Sequence, residues 1–195
     1  MRLGLTRPLW LLAPTGRSSS FPDGELPGAP FHPPVQGEGL PGCSGGGGGI
    51  MITRPAMKLN WEGTNRILQA AVKKVHQIGI PMSIAVVDEG GHLLGFARTD
   101  NGKPHNIRIA QVKARAAASN RLPTGKINSS GQPVNDHMAI ALPLAAGTDI
   151  YVTFAGGLPI IVEGHCVGGV GVSGGTGEQD AEVAQAGIRA LTSAG

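Results

Sequence analysis

From residue 57 onward the apolar positions fall into two alternating periods. Ile67, Leu68, Ala71, Val72, Val75 and Ile78 recur at helical spacing between Thr64, which can cap a helix, and Gly79, which can end one. The next run, Pro81 to Val87, is rich in β-branched residues; after the turn Asp88-Glu89-Gly90-Gly91, the run His92 to Arg98 completes a predicted hairpin. Pro104 is placed to open a second helix, which carries Ile107, Ile109, Ala110, Val112, Ala114, Ala116, Ala117 and Ala118 and ends near Asn120. So many alanines imply close packing on a neighbour.

The stretch Leu122 to Gly147 reads as a long loop with helical content, in which Asn135 or Asp136 caps a short helix that Pro143 ends. Three short strands then follow, Ile150 to Phe154, Leu158 to Val162 and His165 to Val172, separated by Gly156-Gly157 and Glu163-Gly164. Gly174 to Gly177 leads into a last helix with Val183, Ala184, Gly187, Ile188 and Leu191 on one face. Hairpins without βαβ crossovers predict an α+β fold: an antiparallel sheet of about five strands with helices packed on it, in a single domain.

Composition divides the chain. Nine of its 15 prolines and 12 of its 32 glycines lie in residues 1–56, including Pro33-Pro34 and the run Gly45 to Gly49. Such a segment cannot bury enough apolar surface to offset its ordering entropy, so residues 1–56 are expected to be disordered and residues 57–195 to form the domain. The run Leu9 to Ala13 after Arg2 resembles a short signal peptide, but no A-x-A cleavage pattern follows, and the segment is read instead as lying upstream of a start at Met51 or Met57. A cytoplasmic location is expected, with secretion the minor alternative. A net charge of +3 without basic runs, and few aromatics, argue against a nucleic-acid partner. No apolar run is long enough to span a membrane, and Cys43 and Cys166 cannot build a disulfide framework.

Several strings together resemble one family. Ser83 to Leu94, Arg98-x-Asp100, Lys113-Ala114-Arg115-x-Ala117, Pro123-Thr124, Gly156-Gly157-Leu158-Pro159-Ile160, and Val170 to Gly174 with Gln179-Asp180 stand in the order and at the spacing of the GlcG/HbpS family. The resemblance implies a small mixed domain, often oligomeric, that also occurs as the C-terminal domain of a corrinoid adenosyltransferase. Some relatives bind haem, one branch being linked to haem degradation and iron sensing; another is encoded with glycolate-utilisation genes. Ala155 departs from that second branch, where an acid precedes the Gly-Gly pair.

Haem requires an axial ligand, an apolar slot, and cations or dipoles for its propionates. His105, at the start of the second helix, is the first candidate for the iron, at a place where a Pro-His pair stands in the haem-binding branch; the plainer reading is a solvated helix-start histidine. His76, His92, His137 and His165 are weaker candidates, and none of the histidines has the i, i+4 partner or Cys/Glu grouping of a dedicated metal site. Thr124 supports or supplies a ligand, or forms a turn. Arg98 with Lys113 can neutralise the carboxylates of haem or of a small organic acid, or Arg98 pairs with Asp100 at the surface.

Ser173 to Gly177 holds an anion at a helix N-terminus or forms a tight turn. Asp180 falls on the inward face, bonded to backbone amides or functional. Gly156-Gly157 and Gly168-Gly169 permit bulges or close approach by another subunit or a ligand, and Cys166 reads as a packing residue. Three functions remain in view: a haem-binding protein with haem-degrading or redox activity, a protein acting on a small organic acid, and a structural homo-oligomeric partner.

Overall fold

The computed structural model describes residues 56–128 and 130–192; the expected disorder of residues 1–56 concerns, apart from Ala56, residues outside the described range. Four helices and four strands follow in the order α1 (Trp61–Ile78), β1 (Ser83–Asp88), β2 (Leu93–Arg98), α2 (Pro104–Asn120), α3 (Asp136–Ala146), β3 (Gly157–Val162), β4 (His165–Ser173) and α4 (Gly177–Thr192). The sheet is antiparallel throughout, in the order β2-β1-β4-β3.

The α+β architecture is as expected, with four strands rather than about five. Ile150 to Phe154 is not a strand: the chain turns there, with the Ile150 and Tyr151 amides both donating to Gly147 O. Val152 and Phe154 instead line a cavity with residues of the outer face of α2, and Pro159 removes a donor from β3, the edge strand next in sequence.

The first helix starts earlier than expected because Asn60 caps it, its side chain accepting from Gly63 N at 2.8 Å. Thr64 is a buried residue of the first turn instead, donating to Asn60 O. Gly79, at φ 75°, ends the helix with its amide on Val75 O. Asn135 caps α3, accepting from Met138 N at 2.9 Å. Pro143 lies inside α3 rather than ending it. Its carbonyl still accepts from Gly147 N, so the helix completes one more turn although the proline itself donates nothing.

Strand alternation sends Ile84, Val86, Val170 and Val172 to one face of the sheet, where α1 and α4 contribute Ile67, Ala71, Val75, Val183 and Ala184. Ala85 and Val87 face the other way, onto Ala110, Ala114 and Ala118 of α2. Helices therefore cover both faces. On the α2 side the approach is backbone to backbone: a Cβ at Gly171 would collide with Ala110 O, and one at Gly169 with Ala114 O. The glycines of β4 and the alanines of α2 are two halves of one contact, and the close approach foreseen at Gly168-Gly169 comes from the chain's own backbone.

Candidate functional site

The closeness of α2 to the sheet places its remaining side chains outward. His105, Arg108, Ile109 and Val112 stand at i, i+3, i+4 and i+7 and share one helix face. With Thr148, Val152 and Phe154 they line a cavity of about 320 Å³. Its walls are mostly aliphatic and aromatic, with an imidazole and a guanidinium one turn apart. Phe154 is 56% exposed and His105 is exposed, so the cavity is a surface cleft open to a ligand edge.

The other residues expected at a site lie elsewhere. Lys113 is 3% exposed; its Nζ donates to Asp180 Oδ2 at 2.7 Å and to Val172 O at 2.8 Å. Its charge is thus satisfied inside the fold and is not available to a ligand carboxylate or to a pairing with Arg98. Asp180, 2% exposed, takes the Gly175 amide on its second oxygen at 2.9 Å, so the inward carboxylate is bonded to a backbone amide and a lysine. Thr124 clasps Gly157: its hydroxyl accepts from Gly157 N at 2.8 Å while its amide donates to Gly157 O at 2.9 Å. A Cβ at Gly156 would sit 2.6 Å from Asp180 Cβ and 2.8 Å from Lys113 Nζ, so the Gly-Gly pair is approached by the fold's own helices.

Arg98 ends β2 and is exposed, with no ion pair to Asp100 among the described residues. The glycine-rich entry to α4 is a tight turn closed by a reciprocal box, in which Thr176 Oγ1 accepts from Gln179 N and Gln179 Oε1 accepts from Thr176 N. His76, His137 and His165 are exposed, and no group of three or more His, Cys, Asp or Glu suited to a metal ion occurs among the described residues. Cys166 Sγ contacts Ala118 O at 3.6 Å and Gly168 O at 3.4 Å, a packing position.

His92 is held by its hairpin. Asp88 accepts from the Gly90 and His92 amides at 2.9 and 2.8 Å, and its two carboxylate oxygens lie 3.2 Å from His92 Nδ1. Partial burial pushes the Asp88 carboxyl up, but these hydrogen bonds outweigh it and hold the group below the usual carboxylate range.

Fold and cleft together define a small α+β domain with a histidine and an arginine at the mouth of an apolar slot. The chain belongs to the HbpS-like family, described as haem-degrading protein HbpS-like, whose model matches residues 59–189. Among curated relatives it is 36% identical over 120 residues to an uncharacterised 15.0 kDa protein of the dhaT-dhaS intergenic region of Citrobacter freundii, covering 62% of this chain and 82% of that one. It is also 36% identical over 117 residues to protein GlcG of Escherichia coli K12, covering 59% and 81%. With the corrinoid adenosyltransferase PduO of Citrobacter freundii it shares 29% identity over 143 residues, spanning 70% of this chain but 40% of that protein.

Solved structures agree. Klebsiella pneumoniae protein ORFY superposes with a TM-score of 0.65 at 29% identity, covering 75% of this chain and 100% of that one. HbpS gives 0.61 at 30%, covering 72% and 94%, and a PduOC complex with haem gives 0.60 at 26%, covering 69% and 95%.

Proposed function

We propose that this protein binds haem at the outer face of α2, where His105 would ligate the iron and Arg108 would hold the propionates. The observation that carries this reading is the cleft itself: one imidazole, one guanidinium and the apolar side chains of Ile109, Val112, Val152 and Phe154 around a single slot. The haem complex of PduOC supports it from outside. A volume of about 320 Å³ is at the lower end for small-molecule sites, so the cleft would enclose only part of a tetrapyrrole. Bound haem would bring redox-active iron; haem degradation or electron transfer at this iron belongs to the same proposal.

Arg108 takes the part first expected of Arg98 and Lys113. Thr124 and Lys113 act by fixing the Gly156-Gly157 segment that follows the cleft residue Phe154. We further infer a homo-oligomer. Its support is α3, an apolar helix with no buried residue, on which Met138, Ile140 and Leu144 are 41%, 64% and 72% exposed. Among the described residues no helix is long and apolar enough to cross a membrane.

Titration with hemin tests the reading. The wild type is expected to give a saturable Soret shift at micromolar protein, and His105→Ala to weaken binding at least about tenfold, the loss of one metal ligand. A wild type showing only free hemin would remove the haem reading. A full shift in the mutant would remove His105 as the ligand.

A further inference from the structure

A second cavity, of about 580 Å³, lies at the other end of α2, between its last turn, the β1–β2 turn and the segment around Asp149. Arg115, Arg121, His92, Ser119, Asp149 and Ile150 are among the residues that line it, and none of these lines the cleft at His105. We propose that this cavity binds a small organic monocarboxylate, with Arg121 and Arg115 as its guanidinium clamp. The inference does not depend on haem binding.

The charges lead there. Glu89, also in the wall, is matched by Lys58 Nζ at 2.6 Å. Among the described residues Asp149 forms an ion pair only with Arg115, at 3.9 Å, the outer limit of one. Arg121 has no ion pair or side-chain hydrogen bond among the described residues. Two guanidiniums therefore face one free carboxylate, a surplus of one positive charge that suits one carboxylate group. A dianion such as phosphate fits less well. The cavity sits at the C-terminal end of α2, where the helix dipole is negative and opposes an anion, a dianion more strongly than a monoanion, so the guanidiniums must outweigh it.

The geometry is prepared as well as charged. Arg115 Nε donates to Gly91 O at 3.1 Å, which ties its guanidinium to the β1–β2 turn. His92, held at Nδ1 by Asp88, has Nε2 left for a hydroxyl or amine on the ligand, and Ile150 offers apolar surface to its carbon chain. Arg121 occupies the C-cap of α2 at φ 57°, a backbone conformation in which glycine is the favoured residue. An arginine there gives up some helix stability and gains a cation at the cavity.

The test is a titration of isotope-labelled protein with sodium propionate, followed by amide chemical shifts, with sodium chloride and sodium phosphate as parallel arms. Saturable shifts are expected at Gly90, Gly91 and Ser119 with propionate, weaker binding with phosphate and no saturable change with chloride. Arg121→Gln should raise the propionate Kd about tenfold or more, the usual loss for one charged hydrogen bond, and Arg66→Gln, on the exposed face of α1, should leave it unchanged. Arg121→Gly separates binding from folding: it should bind no better than Arg121→Gln yet unfold at no lower temperature. Unsaturated propionate shifts, a wild-type Kd in Arg121→Gln, or phosphate bound more tightly than propionate would each overturn the proposal.

Discussion

Lys113→Met is expected to lower the unfolding midpoint by roughly 10 to 15 °C, from a loss of about 3–5 kcal/mol for breaking a buried ion pair by removing one partner. The side chains of Lys113 and Asp180 are 4% and 3% exposed, so neither charge can turn to water when its partner is lost. Asp180 would keep only the Gly175 amide, and Val172 O would lose its donor at the end of β4. Asp180→Asn should cost a similar amount, since it strands the ammonium. The double variant Lys113→Met with Asp180→Asn should lose clearly less than the sum of the two single losses, because no uncompensated charge remains. Thermal melts of the four proteins measure this. Single variants within about 1 °C of wild type, the usual range of an exposed pair, would show that the pair is not closed to solvent.

Gly171→Ala is the second large effect expected, a destabilisation of about 3 kcal/mol or more. Overpacking of a core commonly costs 1–3 kcal/mol when flexible side chains can give way. Here the added methyl meets the backbone of α2 at Ala110 and Ala114, which can yield only by moving the helix. Gly125→Ala is the natural comparison: nothing lies within 4 Å of its Cβ position and its φ is not positive, so a change within about 0.5 kcal/mol is expected. Denaturant midpoints of the two variants would decide; equal midpoints would mean that α2 does not lie as close to β4 as described. Any shift of α2 would also move His105, Arg108 and Val112, so Gly171→Ala should weaken ligand binding in the cleft without touching it.

The same residues show how much the chain reveals before it folds. The period of Ile67, Ala71 and Val75 marks a helix with one buried face, and the β-branched run Ser83 to Val87, buried at every position, marks a strand covered on both faces. Ile150 to Phe154 alternates apolar and polar residues without being a strand: Val152 and Phe154 line the cleft beside α2, and the pattern cannot distinguish that from a sheet ladder. Pro143 removes a donor and so reads as a helix stop, yet one missing donor does not end an exposed helix in which the proline's own carbonyl is still bonded.

At the site, His105 was legible from its place after Pro104. Arg108, Ile109 and Val112 were legible in principle, three, four and seven residues on, once that histidine was taken as one corner of a helix face. Lys113 reads as a partner for a carboxylate, but the carboxylate is Asp180, 67 residues away, and only the folded chain brings them together. Asp88 and His92 lie four residues apart, but the turn that joins them is not a helix, so spacing alone did not suggest the contact. Phe154 and Arg121 gave no local signal. Their roles depend on which residues from distant segments stand beside them.

The most direct measurement is paramagnetic broadening in the isotope-labelled protein with bound ferric hemin. Binding at the α2 cleft should erase the amide signals of His105, Arg108, Ile109 and Val112, together with those of Thr148, Val152 and Phe154, and leave Gly90, Gly91 and Ser119 at the far end of the helix visible. Broadening centred anywhere else, or none at saturating hemin, would contradict the assignment of the cleft.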